Sequence, residues 1–154
     1  MALIQTGMRL TPALLNPPSA YKTMDETVTS STTLQDDDHL FVSVVVGAVY
    51  DLRLRAFVNS NVTPDFKFGW SYPSGTTITW AVVDVQAGTT AGKRSQSDVE
   101  AVASTGASQL LSVDGTVIVG GTGGTLRFRW AQNGSNAAAT TVQAGSSLRL
   151  ERVA

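Results

Sequence analysis

From Tyr50 to Val58 apolar and polar side chains alternate. Tyr50, Leu52, Leu54 and Ala56 fall on one side, Asp51, Arg53 and Arg55 on the other. Successive side chains of an extended chain point to opposite faces, so period 2 marks a strand with one face buried and one wet. The surrounding stretch, Glu26 to Val58, reads as three strands punctuated by two turns. Thr27-Val28-Thr29 and Thr32-Thr33-Leu34 are β-branched and suit a pleated surface. Gln35 to His39 interrupts them with side chains that bond their own backbone, which predicts a turn. Leu40 to Val46 is the second strand, Gly47-Ala48 a break, and Tyr50 to Val58 the third.

The alternation continues downstream. Phe66, Phe68 and Trp70 are spaced by Lys67 and Gly69; after a turn at Tyr72 to Gly75, Ile78, Trp80 and Val82 share the inner face of a strand over Thr76 to Val85. Residues 66–85 therefore predict a β-hairpin. Residues 86–106 are small and polar, with at most one helical turn at Asp98 to Ala103, and read as a contact loop. Ala107 to Val119 is a strand with a turn or bulge at Asp114-Gly115. Thr125 to Ala131 points Leu126, Phe128 and Trp130 inward and Arg127 and Arg129 outward. Ala138 to Val142 and Ser146 to Val153 close the series. The echo between DFKFGW (65–70) and TLRFRW (125–130) suggests equivalent strands on facing sheets, each giving a Trp to the core. Eight or nine short strands with frequent turns predict an all-β fold, an antiparallel, jelly-roll-like β-sandwich.

Residues 1–22 break the pattern. Leu3, Ile4, Met8, Leu10, Leu14 and Leu15 are apolar without alternation; Thr11 to Asn16 suits one helical turn, and Pro17-Pro18 forces an extended link. We read an extended N-terminal arm, 1–22, and a sandwich domain, 23–154. Such an arm either packs back on its own domain or is disordered, or it docks on a neighbour.

Composition narrows the chemistry. The 154 residues suit one domain, with 42% hydrophobic residues for a core and a net charge of −1 that gives no general pull toward nucleic acid or an anionic membrane. Without cysteine there is no disulfide, thiolate metal site or cysteine nucleophile. The N-terminus lacks the basic start and apolar core of a signal peptide, and no run approaches a membrane span. Asp36-Asp37-Asp38-His39 gathers acids, but consecutive side chains diverge, so a turn is favoured over a cation site. His39, the only histidine, has no nucleophile elbow to serve and reads as a solvated turn residue. Gly120 to Gly124 lacks the Lys-Ser/Thr of a phosphate loop. The arginines alternate away from the aromatics, which argues against a single-strand nucleic-acid platform, and the tryptophans read as core rather than sugar platforms. No cofactor is expected and an enzyme is not the reading.

Three segments carry a resemblance. Gly7-Met8-Arg9-Leu10-Thr11-Pro12-Ala13-Leu14-Leu15-Asn16, Thr27 to Asp37, and Phe128 to Asn133 with Ala144 to Leu150 resemble small structural proteins of actinobacterial tailed phages. The resemblance implies a virion protein: a head decoration protein on the outer capsid surface, trimeric, bridging major capsid subunits. It implies capsid contacts through Met8, Arg9, Leu10, Leu14 and Leu15, and a trimer interface through Arg53, Arg55, Arg127 and Arg129. The rival reading is a tail or fibre domain that binds a host glycan through an exposed Trp70, Tyr72 or Trp80.

Overall fold

The computed structural model describes residues 16–84 and 92–154. Among them twelve strands form two antiparallel sheets and there is no helix. In chain order they are β1 (Ser19–Tyr21), β2 (Glu26–Val28), β3 (Gln35–Val44), β4 (Val49–Asn59), β5 (Phe66–Ser71) and β6 (Thr77–Asp84). Then follow β7 (Arg94–Ser95), β8 (Glu100–Val102), β9 (Ser108–Ile118), β10 (Gly124–Gln132), β11 (Thr140–Val142) and β12 (Ser147–Arg152). The larger sheet runs β1-β12-β4-β9-β6-β7, and the smaller β3-β10-β5-β8.

The pairing explains the order. β1 pairs with β12, β3 with β10, β4 with β9 and β5 with β8, all antiparallel. Those pairs are nested in sequence and fall alternately in the larger and the smaller sheet. The chain is thus one long hairpin rolled over itself, the topology of a jelly roll. β6 and β7 come between β5 and β8 and extend the larger sheet beyond β9. β2 and β11 continue the β1–β12 pair past a break, with β11 also joining β4. The segments beyond the expected eight or nine are of two or three residues each.

Alternation does what the sequence predicts in the long strands. Leu52, Leu54 and Ala56 of β4 face Leu126, Phe128 and Trp130 of β10 across a filled interior. Aromatic rings dominate it: Phe68 lies 5.1 Å from Trp80 and 5.7 Å from Phe128, and Phe66 6.1 Å from Trp130, spacings at which ring edges and faces attract. All three tryptophans are core residues.

Four local expectations are corrected. Residues 66–85 are not a hairpin: β5 pairs with β10 and β8, while β6 lies in the other sheet beside β9. The turn at 72–76 carries the chain across the sandwich, which lets Phe68 meet Trp80 from the opposite side. The two echoed segments are neighbours in one sheet, with Phe128 opposite Trp70 and Trp130 opposite Phe68. Asp98 to Ala103 contains β8 and no helical turn. β9 runs straight through Asp114-Gly115; a Cβ on Gly115 would lie 2.5 Å from the Thr79 carbonyl oxygen and 2.9 Å from Trp80 Cβ, so the glycine lets β6 close on β9. The bulge falls instead in β6, between Val82 and Asp84.

The boundary drawn at 22/23 falls within ordered chain. Ser19 to Tyr21 is the edge strand of the larger sheet, and the Leu150 N–H donates to the Pro18 carbonyl at 2.8 Å. Met8, Arg9, Leu10, Leu14 and Leu15 lie outside the described residues.

Candidate functional site

Charge gathers at several places in this fold, the first inside it and the others on its surfaces. The inner one begins where the β1–β12 pair breaks. The Lys22 N–H donates to Ser146 O at 2.8 Å and the Gly145 N–H donates back to Lys22 O at 2.9 Å. Ala144 N–H is held by Asp25 Oδ1 at 2.8 Å. This break turns the Lys22 side chain into the interior, where it is fully buried. Its Nζ donates to Asp37 Oδ2 and to Glu26 Oε2, both at 2.8 Å, and sits 3.5 Å from His39 Nδ1.

Asp37 reaches that point because β3 bulges against β10. Arg127 is opposite Phe41 but Arg129 is opposite Asp36, so β3 takes five steps where β10 takes two. Within the bulge Asp37 Oδ1 accepts the N–H groups of His39 at 2.9 Å and Leu40 at 2.8 Å. Oδ2 also accepts Trp130 Nε1–H at 3.1 Å. Gln35 Nε2 donates to Glu26 Oε1, and Asp38 N–H to Glu26 Oε2. Every oxygen of Asp37 and Glu26 is therefore engaged, as burial of charge requires.

The turn expected over Gln35 to His39 is thus the start of β3, and His39 is half-buried beside an ammonium rather than solvated. The acids do diverge: Asp36 and Asp38 face out while Asp37 points in. Glu26, Asp37 and His39 bring donor atoms within 4.8 Å of one another, a spacing that suits a metal ion. Lys22 Nζ contacts all three residues, so the chain's own ammonium supplies the cation there. Sequence reasoning did not find this cluster. Lys22 follows no alternation, and the bulge shifts Asp37 out of phase with Leu40, Val42 and Val44.

The outer constellation covers the wet face of the larger sheet. Arg53 of β4 has Arg149 on one side and Asp114 on the other; one row along, Asp51 lies between Glu151 and Thr116. Arg55 follows between Ser147 and Ser112. Like charges directly opposite on adjacent strands repel, and the row of opposite sign beside them compensates. Arg53 Nε is 3.5 Å from Asp114 Oδ1, with both side chains mostly in solvent. Asp51, Arg53, Asp114, Arg149 and Glu151 rim a shallow, polar depression. At the end of the same face Val153, Val49 and Ile118 form an apolar row, in which Val153 and Ile118 are exposed and flank the half-buried Val49.

Arg127 and Arg129 are not part of that face. They lie on the outside of the smaller sheet, where Arg129 Nε is 2.9 Å from Asp36 Oδ1 and Arg129 Nη2 donates to Leu34 O at 2.9 Å. Arg127 is 3.8 Å from Asp36 Oδ2 and stacks its guanidinium 4.5 Å over the Phe41 ring. The fold brings Arg53 to Arg55 and Arg127 to Arg129, but puts the two pairs on opposite sides of the sandwich.

A third, smaller site closes one flank. Arg94 Nε pairs with Glu100 at 2.5 Å, and Ser95 N–H donates to Asp98 Oδ2 at 2.7 Å, while Trp80 Nε1–H donates to Ser95 O. Asp98 titrates below the ordinary carboxylate range, chiefly because the Ser95 N–H binds its charged form. Arg94 is held further toward its charged form by the Glu100 hydrogen bond. Trp70 and Trp80 are buried and Tyr72 is half-buried, so the aromatics named for glycan binding do not form an exposed platform. No protein-family model matches the chain, and no curated protein matches it.

Proposed function

We propose that this chain is a structural protein of a phage particle: a capsid decoration protein that binds the outer surface of the major capsid shell as a homotrimer and stabilises it. The observation that carries the reading is the filled aromatic interior, which leaves the sheet faces and the arm as the working surfaces. Jelly rolls recur in viral capsid and lectin domains, so the fold alone selects no function. The resemblance of the three segments is what supports a place on the particle. In this reading Met8, Arg9, Leu10, Leu14 and Leu15 attach to the shell, and three equivalent attachments multiply a weak contact.

The placement of the arginines divides the trimer assignment. One flat interface uses Arg53 and Arg55 or Arg127 and Arg129. The first pair is the better candidate, because the second is committed to Asp36, Leu34 and Phe41 within the chain. The test is co-sedimentation with purified major-capsid shells, with light scattering for oligomeric state. Binding of the full chain as a trimer, lost on removal of residues 1–15, is expected. Failure to co-sediment, with shells equally stable in its absence, overturns the reading.

A further inference from the structure

The Lys22–Asp37 ion pair brings an amine and a carboxyl group together away from water. Both side chains are wholly removed from solvent, and Nζ lies 2.8 Å from Oδ2. The opposite oxygen, Oδ1, is gripped by two backbone N–H groups, those of His39 and Leu40. Glu26, which has partial access to solvent, touches Nζ through Oε2 at 2.8 Å. We propose that Lys22 and Asp37 condense into a side-chain amide, an intramolecular isopeptide bond, with Glu26 carrying the protons.

Each part of the chemistry has a group in place. Glu26 accepts a proton from the Lys22 ammonium across their hydrogen bond, leaving a free amine as nucleophile. The amine is fixed against one carboxyl group by the fold, which replaces a bimolecular encounter with an intramolecular one. Glu26 hands that proton on to Oδ2, so the amine meets a neutral carboxyl group, and attack on Asp37 Cγ places negative charge on Oδ1, between the N–H groups of His39 and Leu40, the arrangement of an oxyanion hole. The Nζ–Cγ bond forms and the Cγ–Oδ2 bond breaks. Two of the three ammonium protons pass by way of Glu26 to Oδ2, which leaves as water. One positive and one negative charge disappear together, so nothing is oxidised or reduced and no co-reactant is needed. The product also removes two buried charges whose desolvation the ion pair had to offset.

The bond would join the end of β1 to β3, the edge strands of the two sheets, and close that side of the sandwich covalently in a chain without cysteine. It would also fasten the point at which residues 1–15 enter the body. The proposal does not depend on the decoration reading, since any task that loads this junction gains from it.

Intact mass spectrometry of the denatured full-length protein tests it. The expected mass is below that of the sequence by one water, and a tryptic digest is expected to contain a branched peptide joining the segments of Lys22 and Asp37, uncut at Lys22. Glu26→Gln, checked for folding by circular dichroism, is expected to keep the full mass. Asp37→Asn is expected to reach the wild-type product mass by losing ammonia instead. A wild-type protein that stays at full mass after prolonged incubation overturns the proposal and leaves an ion pair. A Glu26→Gln protein that cross-links as completely as wild type overturns the role given to Glu26.

Discussion

Lys22 with Asp37 and Arg53 with Asp114 are both cation–carboxylate pairs held by strands of one sandwich, yet they have little else in common. Neither Lys22 nor Asp37 is exposed at all, whereas the Arg53 and Asp114 side chains are 72% and 52% exposed. Two unit charges 4 Å apart attract by about 1 kcal/mol in water and about 4 kcal/mol at an effective dielectric near 20. Environment therefore sets the consequence of each pair, and the same environment sets the penalty for removing one partner. The inner pair is locked to Trp130, Glu26 and the bulge of β3, so the fold depends on it. The outer pair can be spent on another molecule.

The sharpest way to break the contrast is Lys22→Met. It strands the Asp37 carboxylate in the interior, and stability should fall by about 3–5 kcal/mol in urea unfolding. A protein already joined by the proposed amide should lose more. Replacing both groups, as Lys22→Met with Asp37→Leu, removes the stranded charge and should restore most of the loss. If the double variant is no more stable than the single one, the burial argument is wrong.

That pair also marks where the sequence ceases to be legible. Strands β4, β9, β10 and β12 follow from alternation, because one face of each packs on the core and the other meets water. The core tryptophans follow for the same reason. Sheet membership does not, since period 2 tells which side of a strand is apolar but not which strand lies beside it. Hence Phe66 to Trp70 and Ile78 to Val82, neighbours in sequence with matching patterns, fall in opposite sheets. Asp37 escaped because a bulge moved it out of phase, and a run of three acids is elsewhere a good turn signal. Nor does alternation show that Arg53 and Arg127 lie on opposite sides of the body.

On the outside of the smaller sheet the contrast softens. Asp36→Ala frees Arg129 from a contact at 2.9 Å and Arg127 from one at 3.8 Å, both partly in solvent. A loss of about 0.2–1 kcal/mol is expected. The Arg127–Phe41 stack and the Arg129–Leu34 hydrogen bond should survive. A drop as large as that of Lys22→Met would show that partial exposure does not weaken a pair here.

Smaller still is the effect expected of Arg53→Ala on the monomer, within about 0.5 kcal/mol of wild type, as for exposed substitutions generally. Its use is in assembly: with the fold intact, a change in oligomeric state by light scattering assigns this face to subunit contact. An unchanged oligomeric state would take Arg53 out of any subunit contact.

Acidification gives the most local outcome, and its sign follows from Asp98. The carboxyl is held below the ordinary range by the Ser95 N–H, so its contribution is present above that range and is lost as pH falls through the depressed value. Arg94 stays charged throughout, since its shift is upward. Both groups are solvent-facing, so global stability should hardly move. Hydrogen exchange at the Ser95 amide should quicken, relative to the intrinsic rate at each pH, while β4 and β9 remain protected. Global unfolding over the same interval would show that the Ser95–Asp98 contact is not a local one.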